Sequence, residues 1–152
     1  MKTVVDIVVI TLTSPLHVGI YENNQLIKTF ETTDQTSEAL PLLFEEVLKV
    51  YQPVRLFFAR GPGSFMAIKI TYIFLKTLSI ALKIPLLACD GFVFNQSRPI
   101  RAMRSLYFIK EAHEIVTKRL DDPIEQPFTL PEVLDETLFN DNVEPLYMLP
   151  AV

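Results

Sequence analysis

Val4 to Ile10 is a near-continuous apolar run rich in Val and Ile, the pattern of a strand covered on both faces. Leu16 to Tyr21 follows the turn cluster Thr13-Ser14-Pro15. Gln25 to Glu31 follows Asn23-Asn24, a pair suited to a two-residue hairpin with positive φ. The chain is thus expected to open with three strands, antiparallel to one another. Asp34 to Ser37 supplies N-cap candidates for a helix over Glu38 to Tyr51, with Pro41 in or near its first turn. A strand at Val54–Ala59, a helix at Phe65–Leu82 and a strand at Pro85–Cys89 then complete a β-α-β-α-β series. After Asp90 the periodicity weakens. Ala102–Ile109 and Glu114–Lys118 read as strands, Asp121–Gln126 as loop, Pro131–Leu138 as a short helix and Pro145–Leu149 as a last strand.

The second helix lacks a broad wet face. At about 100° per residue, Lys69, Lys76 and Lys83 fall together in a narrow arc. Met66, Ile73 and Ile80 crowd one flank of that arc, and Tyr72 lies on the other. Ile68, Ile70, Phe74, Leu75 and Leu78 close the circle. A helix packed on one core needs a single apolar stripe. This one is therefore expected to be covered twice, by its own domain and by a second polypeptide. The first helix is milder: Leu40, Leu43, Phe44 and Val47 lie on its apolar half, and Glu38, Glu45, Glu46 and Lys49 on the other. The expected interface residues are Leu40, Leu43, Phe44, Val47, Phe65, Ile68, Lys69, Tyr72, Leu75 and Lys76. Phe65–Leu82 is long enough to raise the question of a membrane span. Lys69 and Lys76 would each cost about 2.5–3.5 kcal/mol near a bilayer centre, so no membrane association is expected.

Composition narrows the function classes. With 152 residues, 49% hydrophobic and 21% charged, the chain can bury a sizeable core and is not a disordered segment. The organisation expected is an N-terminal lobe over 1–95 and a reduced C-terminal lobe over 96–152. Net charge is −4, unevenly spread: residues 1–120 carry 14 Lys+Arg and 10 Asp+Glu, residues 121–152 carry eight acids and no base. An acidic total argues against non-specific nucleic-acid binding. Arg98, Arg101 and Arg104 form a small basic cluster, and the acidic Asp121–Glu144 stretch follows no Ca²⁺-loop spacing. The single cysteine, Cys89, excludes an internal disulfide and fits a reducing, cytoplasmic compartment. The N-terminus has an acid inside a short apolar run and does not read as a signal peptide.

Catalytic chemistry is sparse. His17 and His113 are far apart and form no zinc-binding pair. Cys89, at a strand end, reads as core. The loop Arg60-Gly61-Pro62-Gly63-Ser64 precedes a helix and could face an anion with its N–H groups. It lacks the Walker ending and the dinucleotide fingerprint, so a tight turn relieved by glycine is the stronger reading. No catalytic residue, metal ligand or cofactor is assigned.

Arg60-Gly61-Pro62-Gly63-Ser64-Phe65, with Ile68-Lys69-Ile70, Lys76 and Ile84-Pro85-Leu86, resembles the G-R-G-P-G-S-F-T-G-L-R-I-G signature of TsaB (YeaZ) proteins. Ser37-Glu38-Ala39-Leu40-Pro41 is similar to the family's H-S-E-x-L-L-P stretch, and Pro145-Leu146-Tyr147 to its terminal P-x-Y-L-R. The resemblance implies an α/β fold of actin/Hsp70-like (RNase H-like) type, a mixed sheet flanked by helices, here with a reduced second lobe. It also implies a non-catalytic subunit in the synthesis of threonylcarbamoyladenosine in tRNA. The implied partners are a TsaD-like transferase subunit, bound through these two helices, and a TsaE-like ATPase that joins the complex; tRNA is met indirectly. Departures are clear. Ile10-Thr11-Leu12-Thr13 stands where the family has Asp-Thr-Ser-Thr, and Met66, Ala67, Lys69 and Thr71 replace Thr, Gly, Arg and Gly. The rival readings are a nucleotide-binding ATPase of the same fold, opposed by the missing acid, and a homodimeric interaction module unrelated to tRNA.

Overall fold

The computed structural model describes residues 1–103, 105–121 and 128–148. Arg104 of the basic cluster, most of the expected 121–126 loop and Leu149 lie outside them. A five-stranded sheet has the order β3-β2-β1-β4-β5. Its strands are β1 (Thr3–Ile10), β2 (Leu16–Glu22), β3 (Gln25–Thr32), β4 (Tyr51–Ala59) and β5 (Leu86–Cys89). β2 runs antiparallel to β1 and β3, whereas β4 lies parallel to β1 and β5 to β4. Helices α1 (Thr36–Val50) and α2 (Phe65–Leu82) make the two crossovers. The expected mixed sheet flanked by helices is present.

β1 is buried on both faces because its side chains alternate between two cores. Val5, Ile7 and Val9 meet Leu40, Phe44 and Val47 of α1 and Leu75 of α2. Val8 and Ile10 face the other way, into a cluster with Phe57, Phe92, Phe94, Ile100, Phe108 and Phe139. The second cluster draws on both sides of position 95. Its C-terminal part comes from a three-stranded sheet of β6 (Ile100–Met103), β7 (Leu106–Glu111) and β8 (Glu114–Arg119), and from residues 128–148. Helices, large sheet and C-terminal elements thus form three layers.

Local deviations have physical reasons. Asn23 and Asn24 take φ of 51° and 65°, as the hairpin requires. β4 starts three residues earlier than the pattern suggests, at Tyr51. Pro53 is tolerated there because pairing with β5 begins only at Leu56, leaving that part of β4 as an edge. α1 also starts early, which puts Pro41 in its second turn and denies Ser37 the usual i→i−4 donor. The expected strand at Ala102–Ile109 is two strands: Met103 pairs with Leu106 and closes a hairpin between β6 and β7. The expected helix at Pro131–Leu138 shrinks to a 3₁₀ turn over Glu136–Leu138. Leu134 N–H is already committed to Asn24 O and Glu132 O to Leu26 N–H, on either side of the Gln25–Val133 bridge, so neither joins a helical ladder. Residues 145–148 are in no strand, although Leu146 N–H bonds to Arg60 O.

Charge is buried at one point of the sheet. Asp6 on β1 is 6% exposed and receives a two-pronged bond from Arg55 on β4, at 2.9 and 2.7 Å. Arg55 also reaches Glu136 at 2.5 Å, and its guanidinium lies 5.2 Å from the centre of the Phe57 ring. On β2, His17 stands opposite Glu31 of β3, and burial pulls its pKa below 6.5, partly offset by the Glu31 charge. The unfolded chain then binds a proton before the native one does, so this residue favours folding above pH 6.5 and less as pH falls below it. His17→Gln is expected to flatten the stability profile below pH 6.5, measured by urea unfolding across pH.

Candidate interaction surface

α2 settles where its apolar circumference goes. Ile68, Thr71, Leu75 and Ser79, spaced by three and four residues, are its buried residues. The opposite side is open: Met66 is 59% exposed, Ile73 52% and Ile80 68%. Lys69, Lys76 and Lys83 are exposed along one edge of this stripe. Lys83 ends the helix in the left-handed conformation at φ 56°, with Ile84 N–H returning to Ser79 O. Among the described residues α2 is the one helix long and apolar enough to cross a membrane, by length and composition alone.

On the other edge of the stripe a groove of about 450 Å³ opens between the helices. Its walls are Ile70, Ile73, Phe74, Thr77, Leu78 and Ala81 of α2 and Ser37 and Pro41 of α1. Phe74, one of these walls, makes an edge-to-face contact with the buried Phe44, ring centres 5.2 Å apart. Beyond the groove, α1 exposes Leu42, Glu38, Glu45, Glu46 and Lys49. The surface therefore runs from an acidic ridge on α1 across an apolar groove and stripe to a lysine edge on α2.

The ten expected interface residues divide sharply. Lys69 and Lys76 are exposed, and Leu43, Phe65 and Tyr72 are half-buried. Leu40, Phe44, Val47, Ile68 and Leu75 are core residues, each no more than 2% exposed, and present nothing to a partner in this arrangement. The reason is geometric: the apolar half of α1 turns toward the sheet and α2, so the accessible apolar surface falls instead on Leu42, Met66, Ile73 and Ile80. The crowding of 66, 73 and 80 was visible as a seven-residue repeat. Which arc faced inward was not.

In the glycine loop Gly61 and Pro62 are buried, Gly63 is half-buried and Ser64 is exposed. Arg60 N–H donates to Cys89 O, Gly61 O accepts from Gly91 N–H and Ser64 O accepts from Ile68 N–H. A Cβ at Gly63 would lie 3.1 Å from Leu12 O and 3.2 Å from Leu12 Cβ. Next to the loop Thr11 and Thr71 share a buried hydroxyl contact of 2.6 Å. Cys89 is buried at the end of β5, and burial pushes its thiol well above the usual range. An aromatic thiol reagent is therefore expected to label the native chain very slowly and the urea-unfolded chain at once. His113 lies in the exposed β7–β8 turn and Arg98 is exposed beside β6. Among the described residues no group of three His, Cys, Asp or Glu side chains is placed to hold a metal ion.

No family model and no curated protein matches the chain. Solved structures do: YeaZ from Pseudomonas aeruginosa superposes with a TM-score of 0.59 at 17% identity, over 78% of this chain and 64% of that one. The chain has the YeaZ fold. A second structure, an uncharacterized protein with similarity to peptidase YEAZ from Pseudomonas aeruginosa, gives a TM-score of 0.58 at the same identity and coverage. The chain spans a little under two thirds of the length of these YeaZ structures. The five-stranded mixed sheet and its two crossover helices match that fold.

Proposed function

We propose that this chain is a short, divergent TsaB-like subunit. It would act without catalysing a reaction itself, by docking a TsaD-like transferase subunit of tRNA threonylcarbamoyladenosine synthesis on its α1–α2 face. A TsaE-like ATPase would join through that complex, with tRNA met indirectly, in the cytoplasm. The observation that carries the reading is α2: four of its 18 residues are buried, and Met66, Ile73 and Ile80 face outward beside an apolar groove. The YeaZ fold and the Arg60–Phe65 signature support it. Fully burying an aliphatic side chain gives about 1.5–3 kcal/mol. These three are half to two-thirds exposed, so roughly 1 kcal/mol or more each remains for a partner to gain. The deciding experiment is co-purification of the tagged chain with the transferase subunit, together with measurement of the tRNA modification in depleted cells. Capture with loss of the modification supports the reading; neither would end it.

One observation favours a second reading, a homodimer through the same face. Glu38, Glu45 and Glu46, the last paired with Lys49 at 3.1 Å, line one edge and Lys69, Lys76 and Lys83 the other. A two-fold axis running along the helices would bring each acidic edge against the partner's lysines. Sedimentation of the isolated chain over a concentration series distinguishes a monomer from this dimer. The ATPase reading has less behind it, since Ile10-Thr11-Leu12-Thr13 lacks the acid that nucleotide–metal binding would need; calorimetry with ATP and Mg²⁺ would revive it if heat were released.

A further inference from the structure

Residues 128–148 cross the molecule as a strap tied at successive points. Leu26 N–H donates to Glu132 O at 2.9 Å and Leu134 N–H to Asn24 O at 2.8 Å. Arg55 holds Glu136, and Ala88 and Asn140 exchange two backbone bonds at 2.9 and 3.0 Å. The strap ends on the glycine loop: Leu146 N–H donates to Arg60 O at 2.8 Å, and the Arg60 guanidinium donates to Glu144 O at 2.9 Å. Tyr147 then lies over Phe65 at the start of α2, ring centres 4.6 Å apart. Its phenol is shifted upward by partial burial and by neighbouring Tyr72.

Gly61 explains itself in this light. It has φ 133°, and a Cβ there would sit 2.9 Å from both Leu146 Cβ and Leu146 O. Two independent demands therefore fall on one glycine, its backbone conformation and the close passage of the strap. The Arg60–Gly61 carbonyls face the chain's own Leu146 and Gly91.

We propose that the Arg60–Gly61 loop is a latch for the chain's own residues 144–148, and that the seated strap places Tyr147 in the docking face. Tyr147 is 43% exposed with its ring tilted against that of Phe65, next to Tyr72 and beside the lysine edge. The face is then a composite of α1, α2 and the strap, and its lysine edge gains an aromatic border. The latch is intramolecular and stands alone; the role of Tyr147 rests on the second-copy reading above, argued from the complementary edges.

Hydrogen exchange and sedimentation of the full chain test both halves. The Leu146 amide is expected to be protected at least a hundred-fold in the parent. In Gly61→Ala it should exchange near the free-peptide rate while Ile7 and Leu56 amides keep their protection. If Gly61→Ala unfolds the core, Arg60→Ala removes the Glu144 contact without touching the glycine and is judged by the same amide. An unprotected Leu146 in the parent, or unchanged protection in the variant that folds, overturns the latch. Tyr147→Ala is expected to weaken self-association about ten-fold. Parent-like association of Tyr147→Ala overturns the composite face and leaves the dimer reading standing, whereas a parent that stays monomeric removes that reading and the composite face together, leaving the exchange result intact.

Discussion

Ile73→Asp with Ile80→Asp is expected to leave the chain folded and to abolish its docking. Both side chains are more than half exposed, so the native state loses little packing, and surface changes of this kind stay within about 0.5 kcal/mol. A carboxylate at position 73 would sit four residues after Lys69 and three before Lys76, and one at position 80 four after Lys76. Such pairs are worth a few tenths of a kcal/mol each. In a docked complex the same carboxylates would be desolvated in the middle of the apolar stripe. Leaving an unpaired charge there costs several kcal/mol. Since each 1.4 kcal/mol is about ten-fold, capture of the transferase subunit, or of a second copy, should fall at least roughly 100-fold. The measurement is paired: the urea midpoint to show the fold is intact, and pull-down or sedimentation to show the loss. An unchanged affinity would remove α2 from any interface. A parent chain that floats with lipid vesicles, and a double variant that does not, would point instead to a bilayer surface as what covers the stripe.

Phe44→Ala should act in the opposite way, unfolding the chain before it says anything about partners. Phe44 is 2% exposed and sits between β1, Val47 and the edge of Phe74. Truncating a buried phenylalanine costs about 3–5 kcal/mol through lost transfer energy and the cavity left behind. Against a typical total of about 5–15 kcal/mol, that is a large share of the stability. The expected result is a urea midpoint lowered sharply with an unchanged slope. Loss of capture in such a variant reports unfolding. A Phe44→Ala chain with the parent's midpoint would show that α1 does not bury this ring against the sheet.

The contrast between Ile73 and Phe44 marks what the amino-acid order could and could not tell. Seven-residue spacing put Met66, Ile73 and Ile80 on one line and Lys69, Lys76 and Lys83 on another, because helical geometry is local. The same locality made the first three strands, the Asn23-Asn24 turn and the bounds of α2 readable. Phe44 and Leu40 read as equally good interface residues, since an apolar side chain carries no label for the neighbour that will bury it. That choice was made by the core, one cluster of which takes Leu40, Phe44 and Val47 of α1 and Leu75 of α2 while the other takes Ile68.

The C-terminal third shows the limit from the other side. Residues 131–138 carry a helix-like pattern, yet Glu132 O and Leu134 N–H are spent on Leu26 and Asn24, more than 100 positions earlier. No local window contains that competition. Glycine at position 61 was legible as a turn residue; that Leu146 presses against it depends on a contact 85 residues away. Short-range periodicity and turn chemistry were therefore fixed by the order of residues alone. Which apolar surface was left over, and what the glycine loop holds, was decided only when distant segments competed for the same faces and the same hydrogen bonds.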